Sequence, residues 1–269
     1  MKVFISADLE GVTGVVGEEQ LSAGGQDYDR ARKRMTEEVN AAANGAIRGG
    51  ATRVVVNDAH GPMTNILLES LQADIELITG SPKPGSMMAG LTKDFDIVFL
   101  VGYHAKKGSP GILSHSYVGS KVADIKVNDR SVGEAGLNGY YAGHFGVPVG
   151  LVTGDDQVVA ESMDLFKNVK TAIVKWMYSR TAALCIHPQK SKSKIEQQAY
   201  LAIKEIQDLK PLVPKSPIQL EVAFLDYGMA EKAAIMPGAS LLKDHLTVSY
   251  RQDDMGEIFR GLQCMLHMI

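Results

Sequence analysis

Two acids and two histidines in this chain stand just past short apolar runs. Val3-Phe4-Ile5-Ser6-Ala7 runs into Asp8-Leu9-Glu10-Gly11. Val54-Val55-Val56 runs into Asn57-Asp58-Ala59-His60, and Ile97 through Val101 runs into Gly102-Tyr103-His104. Carboxylate oxygens and imidazole nitrogens without thiolates suit zinc, and manganese or cobalt less strongly. Asp8 and Glu10 are two apart, the strand period, so they point the same way if the strand continues. Side by side, two carboxylates repel unless a cation or a proton lies between them. Alone, an Asp-x-Glu pair is commonplace, and a single histidine after a strand is more often a loop residue or is held by a backbone carbonyl. Four such residues at equivalent strand ends favour a metal site over those separate explanations.

Further candidates lie downstream. Glu134 sits in Val132-Gly133-Glu134-Ala135-Gly136, where small neighbours let the backbone come close to something. Taken alone, it reads better as an acid in a first helical turn, favoured by the helix dipole. His115 ends Gly108-Ser109-Pro110-Gly111-Ile112-Leu113-Ser114-His115 and fits a lid or proton shuttle as well as it fits a solvent-exposed loop. Asp155-Asp156 could hold a substrate ammonium but reads more readily as a helix cap and first-turn acid. His144, His187, His245 and His267 have no acidic or histidine company and read as structural or surface residues. No Gly-x-Gly-x-x-Gly or Walker-type loop follows a strand, so nucleotide binding has no support. Five candidate ligands exceed the needs of one tetrahedral catalytic zinc. They suit two metals roughly 3.5–4 Å apart with a bridging carboxylate, a site whose natural chemistry is hydrolysis.

The elements that must position these groups alternate. The spacing predicts strands over 2–7, 53–57, 75–78, 96–101, 123–127 and 148–153, and helices over 28–47 and 133–145. Buried β-branched runs bounded by Gly and polar residues belong to parallel sheets, whose ligands sit outside the carboxyl ends of the strands. The fold class is therefore α/β, a three-layer core with a mostly parallel sheet. From Pro188 the character changes. A Lys- and Gln-rich helix carries the stripe Ile195, Ala199, Ala202, Ile206, then Pro211-Leu212-Val213-Pro214 breaks it. Strands near 218–225 and 246–250 and a helix from about Asp254 complete the chain. The expected division is a metal-binding catalytic core over 1–187 and a smaller C-terminal α/β subdomain over 188–269, packed on the core and involved in assembly.

The bulk properties narrow the classes. The chain has 269 residues, 45% of them hydrophobic, and a net charge of -3. That charge leaves no electrostatic footprint for nucleic acid or an anionic membrane. No apolar run is long enough to span a bilayer, and the N-terminus carries no signal-peptide pattern. The two cysteines, Cys185 and Cys264, form no Cys-x-x-Cys spacing, so a reduced, cytoplasmic protein is the expectation.

Five segments, in order, carry a resemblance: Ser6-Ala7-Asp8-Leu9-Glu10-Gly11, Asn57-Asp58-Ala59-His60-Gly61, Gly102-Tyr103-His104-Ala105, Leu113-Ser114-His115-Ser116 and Gly133-Glu134-Ala135-Gly136. Through them the chain resembles the DppA-type zinc D-aminopeptidases. The resemblance implies a dinuclear zinc centre, two Zn2+ per subunit, with Asp8 bridging and Glu10, His60, His104 and Glu134 completing the shells. It implies that His115 is the catalytic histidine, as nucleophile or base. A general acid/base role is the better chemical fit, since a metal-activated water already supplies a nucleophile. It further implies cleavage of short peptides with an N-terminal D-residue, such as D-Ala dipeptides, by a homodecamer of two pentameric rings. Alternatives are another dinuclear hydrolase, such as an amidase, an L-peptidase or a phosphoesterase, and a non-catalytic metal- or peptide-binding ring protein. A phosphoesterase would want cations at the site, and Lys106-Lys107 is the only nearby pair.

Overall fold

The structure is a computed structural model that describes all 269 residues. Strand β1 (Lys2–Ala7) passes through a long loop into helix α1 (Tyr28–Gly49). Strands β2 (Arg53–Asp58), β3 (Ile75–Ile78), β4 (Ile97–Tyr103), β5 (Val122–Val127) and β6 (Arg130–Ser131) follow. Helix α2 (Glu134–His144), β7 (Val149–Asp155), α3 (Asp156–Leu165) and the pair β8 (Lys170–Ser179) and β9 (Ala182–Cys185) come next. The chain ends with α4 (Pro188–Lys204), β10 (Ile218–Phe224), α5 (Tyr227–Ala233), β11 (Ala239–Leu241), β12 (Thr247–Gln252) and α6 (Met255–Met268).

Seven strands form one sheet in the order β3-β2-β1-β4-β7-β8-β9, parallel except for β9. The β-branched runs of β1, β2 and β4 are its centre. β4 is buried at every residue, as a strand covered on both faces must be. One face packs Val3, Ile5 and Phe99 against α1 and α4, and the other packs Phe4, Val98 and Leu100 under Phe95, Phe166 and Met88. Each fully buried aliphatic or aromatic side chain stabilises by about 1.5–3 kcal/mol. Helix α1 stops at Gly50, whose φ of 115° a residue with a side chain would resist. This is the expected three-layer α/β architecture.

The second sheet, β11-β12-β10-β5-β6, is antiparallel and holds its own core of Ile125, Leu220, Val222 and Val248 against α5 and α6. The sheets do not divide at residue 187. Helix α4 lies on α1 and buries Ile195, Ala199 and Ala202 in the core of the first sheet. Strand β5, from well before that residue, pairs with β10. The apolar stripe of α4 needs a partner, and the small face of α1 (Ala42, Gly45, Ala46, Gly49) lets it approach. A Cβ at Gly45 would stand 2.1 Å from the carbonyl oxygen of Glu196.

Candidate active site

Strands β2, β1 and β4 are neighbours, and Ala7 is in register with both Asp58 and Val101. Asp8, His60 and His104 therefore leave the same carboxyl edge of the sheet. β1 ends at Ala7, however, so strand alternation does not place Asp8 and Glu10 together. A turn does so. Asp8 and Gly11 donate their backbone N–H groups to the carbonyls of Val101 (2.8 Å) and Gly102 (2.7 Å), folding the segment over the end of β4. Two glycines permit this. A Cβ on Gly11 would lie 2.0 Å from the Tyr103 carbonyl oxygen. Gly102 has φ 73°, and a Cβ there would lie 2.3 Å from the Asp8 carbonyl oxygen.

The other side chains are held as firmly. Asp58 accepts hydrogen bonds from Asn65 N (2.6 Å), Asn65 Nδ2 (2.8 Å) and Ile66 N (2.7 Å), which closes the loop carrying His60. Lys83, not singled out in sequence, donates from Nζ to Asn57 Oδ1 and the Asp58 carbonyl, both at 2.6 Å. Glu134 is the first residue of α2, so the first-turn placement expected of it holds. Its Oε1 also accepts from Tyr117 N at 2.6 Å. The close neighbour its glycines admit is Lys106, whose Cβ lies 2.8 Å from where a Gly133 Cβ would be.

Each histidine is oriented by a backbone carbonyl, which can only accept. His60 Nε2 lies 2.8 Å from the Leu21 oxygen, His104 Nδ1 2.9 Å from that of Ala105, and His115 Nδ1 2.9 Å from that of Leu113. Those nitrogens therefore carry the protons and donate them, and the opposite nitrogen of each ring faces inward. His60 Nδ1 faces Asp8 Oδ1 (3.3 Å) and Glu10 Oε2 (2.9 Å). His104 Nε2 faces Asp8 Oδ2 (3.5 Å) and Glu134 Oε2 (3.4 Å). Asp8 is thus shared by two groups, Asp8-Glu10-His60 and Asp8-His104-Glu134, each close enough to surround one ion; Glu10, His104 and His115 form a third such grouping across them. Asp8 Oδ2, Glu10 Oε2 and His104 Nε2 are buried and make no well-aligned hydrogen bond. Buried polar atoms left so are rare. An all-nitrogen-and-oxygen donor set with these orphaned atoms, and with carbonyls behind the rings, fits zinc.

His115 lies across both groups. Its ring stacks on His104, with centroids 4.1 Å apart and planes 9° apart. Nε2 is 3.8 Å from both Glu10 Oε1 and Glu134 Oε1. Its loop is packed, not loose: Ala105, Ile112 and Leu113 are buried. The N–H of Ile112 donates to Asp155 Oδ2 (2.6 Å) and that of Leu113 to the Arg180 carbonyl (2.9 Å). Asp155 is the N-cap of α3, accepting from Gln157 N and Val158 N, so its carboxylate is spent on backbone rather than on a ligand.

The electrostatics follow from burial and proximity. Burial, reinforced by Glu10, pushes the Asp8 carboxyl up to about 7. For Glu10 and Glu134 burial opposes ionisation, yet His60 beside the first and His104 beside the second win and hold both low. Burial likewise opposes charging of His104, but Glu134 and its companions raise it to about 10, and Glu10 and Asp8 hold His60 well above its usual value. Burial and then the His104 charge push His115 down. Without a cation, then, His60 and His104 carry the positive charge the carboxylates need, and His115 is the neutral imidazole.

Over the cluster lies an open cavity of about 330 Å³, within the range of small-molecule sites. Asp8, Glu10, His115 and Glu134 form its floor. Met63, Met87 and Val118 line its walls, with Leu266, Gln263 and His267 contributed by α6. His267, expected at the surface, is exposed but also borders this space. No lysine or arginine lines the cavity, and Lys107 instead donates from Nζ to the Gly119 carbonyl (2.9 Å).

Acids and imidazoles gathered at the carboxyl edge of a parallel sheet, beneath a small-molecule cavity, make an enzyme active site on an α/β scaffold. Residues 1–264 match the peptidase M55 family, the D-aminopeptidases, and the chain belongs to that family of hydrolases. A D-aminopeptidase of Bacillus subtilis (strain 168) is 38% identical over 268 residues, covering 100% of this chain and 97% of the relative. A solved structure superposes with a TM-score of 0.97 at 38% identity, covering 100% of this chain and 97% of the other. It is the Zn-dependent D-aminopeptidase DppA from Bacillus subtilis, described as a self-compartmentalizing protease. No helix here is long and apolar enough to cross a membrane.

Proposed function

We propose that the protein is a metalloaminopeptidase that removes an N-terminal D-amino acid from short peptides such as D-Ala dipeptides, with two zinc ions per chain. The observation that carries this reading is Asp8, whose two oxygens face two different histidine–carboxylate pairs. Glu10 and His60 would hold one ion, His104 and Glu134 the other, and Asp8 both. Zinc so held lowers the pKa of a water and polarises a carbonyl. His115, neutral and with Nε2 turned inward by Leu113, moves the proton: it accepts one during attack and returns it to the leaving amine. A cavity without lysine or arginine favours an amide over a phosphate ester.

The reading extends to assembly and location. We take the chain to form a homodecamer of two pentameric rings, as its resemblance implies, with the 188–269 region involved in assembly. We place it in the cytoplasm, where its two free cysteines stay reduced. Light scattering of the purified protein, for a chain of 29.0 kDa, reads the ring size directly.

The deciding assay is hydrolysis of D-Ala-D-Ala against L-Ala-L-Ala by zinc-loaded protein with a chelated control. Chelator-sensitive cleavage of the D-peptide alone is expected. Cleavage of neither, with about two zinc ions still bound, would move the substrate outside this class.

Zinc loading should also release protons. Ligating imidazoles must be neutral and carboxylates ionised. At pH 7 the free cluster holds protons on His60 and His104, and Asp8, raised to about 7, holds part of another. Release of roughly two to three protons per chain is expected, and zinc affinity should fall as pH is lowered. Calorimetry in two buffers of different ionisation enthalpy measures this. Release of less than about one proton would show that the imidazoles are neutral before metal arrives.

A further inference from the structure

Lys175, on β8, has no solvent exposure although it is a lysine. Its strand is three places along the sheet from β1, yet its ammonium meets the loop that leaves β1. Nζ donates to the carbonyl of Glu10, to that of Val12 at 3.2 Å and to that of Val15 at 2.6 Å. An ammonium has three N–H donors, and this loop takes all three. The loop forms no helix or strand between Asp8 and Gly17, and only two turn bonds, Val12 N to the Leu9 carbonyl and Val15 N to the Val12 carbonyl, hold it from within. From the other side Glu38 Oε1 accepts from Thr13 N at 3.1 Å. A buried, desolvated charge is costly, and an apolar side chain of similar volume often serves stability as well.

We propose that Lys175 is a positioning residue of the metal centre: by gathering the Glu10, Val12 and Val15 carbonyls around one ammonium, it sets the direction in which the Glu10 carboxylate is presented to the ion that Glu10 shares with Asp8 and His60. This rests on the two-metal reading above. Without the ammonium the carbonyl of Glu10 itself loses its partner; the Gly11–Gly102 bond still holds the start of the segment, and Glu38, Arg34 and Gln20 hold only its later part, at Thr13, Gly14 and Val16. Glu134 and His104 stand on α2 and after β4, outside the loop whose carbonyls Lys175 holds, and are expected to keep their places.

Cobalt(II) titration of the metal-free protein tests this, since cobalt takes the same ligands as zinc and its visible spectrum reports coordination geometry. Lys175→Met is expected to keep native far-UV circular dichroism. One of its two binding steps should weaken about 10–100-fold, as for loss of a group that orients a ligand, and the spectrum at full occupancy should change. Wild-type affinity and an unchanged spectrum in Lys175→Met would overturn the proposal alone. A wild-type protein that takes up no cobalt would overturn the two-metal reading and this proposal with it. If Lys175→Met is insoluble, Lys175→Gln decides: a shift confined to one step supports the role, and wild-type binding at both steps overturns it.

Discussion

His115→Ala is expected to lose most turnover while keeping its metal and its fold. General acid–base catalysis contributes about 10²–10⁴-fold, and a fall in kcat of that order is the expected reading. Zinc content separates this role from that of a ligand. Asp8-Glu10-His60 and Asp8-His104-Glu134 each gather three donors without His115, which lies 3.8 Å from a carboxylate oxygen of each group, stacks on His104 and could join Glu10 and His104 around an ion only in a third grouping. Zinc content measured by atomic absorption should therefore stay at the wild-type level. The pH profile gives a second check. Burial holds His115 below the ordinary value of 6.5, and in the loaded enzyme neighbouring cations would act in the same direction as the His104 charge they displace, so it is neutral, and able to accept a proton, at pH 7. Activity that depends on the neutral form is present above its pKa and is lost as pH falls through it. The acid limb of the wild-type kcat/KM profile should therefore lie below 6.5 and should vanish in the variant. Unchanged turnover at normal zinc content would remove His115 from the chemistry, whereas a drop in zinc content would make it a ligand.

Asp8→Asn should be the more damaging change to the metal centre, and comparison with Glu10→Gln makes it diagnostic. Asp8 faces both His60 and His104, whereas the histidine nearest Glu10 is His60. Loss of an outer-shell partner costs about 10–100-fold in metal affinity; loss of a shared ligand must exceed that for both ions. Asp8→Asn is therefore expected to retain neither zinc after dialysis and no chelator-sensitive activity, and Glu10→Gln to retain about one zinc. Both substitutions are nearly isosteric, and both sites are buried, so far-UV circular dichroism should change little. Equal zinc loss in the two variants would mean that Asp8 does not bridge. Two zinc ions kept by Asp8→Asn would place the metals elsewhere.

Much of this centre is legible in the sequence. Short β-branched runs identify the central strands because such residues fit a pleated surface buried on both faces. β1, β2 and β4 fall where Val3–Ala7, Val54–Asn57 and Ile97–Val101 put them. The polar residue just past each run then marks the sheet edge, and the gathering of Asp8, His60 and His104 follows from parallel strands alone. The capping reading of Asp155 is legible too, since a short acid at a strand-to-helix junction has local N–H groups to satisfy. Strand β8 is not. KTAIVKWMYS carries two lysines and no clean alternation, and nothing local says that Lys175 is buried.

The chain's own pattern thus determines which side chains can be metal ligands and on which edge they stand, because strand polarity and burial are written in hydrophobic runs of a few residues. Only the tertiary structure decides how they face one another. The three carbonyls that turn His60, His104 and His115 inward belong to Leu21, Ala105 and Leu113, and a carbonyl is the same in every residue, so sequence carries no trace of which one will be used. The clamp on the Glu10 segment comes from Lys175, 165 positions away. The cavity above the site borrows a wall from α6, at the far end of the chain. Such contacts are made between elements distant in sequence, and their geometry exists only once both sheets and their helices have packed.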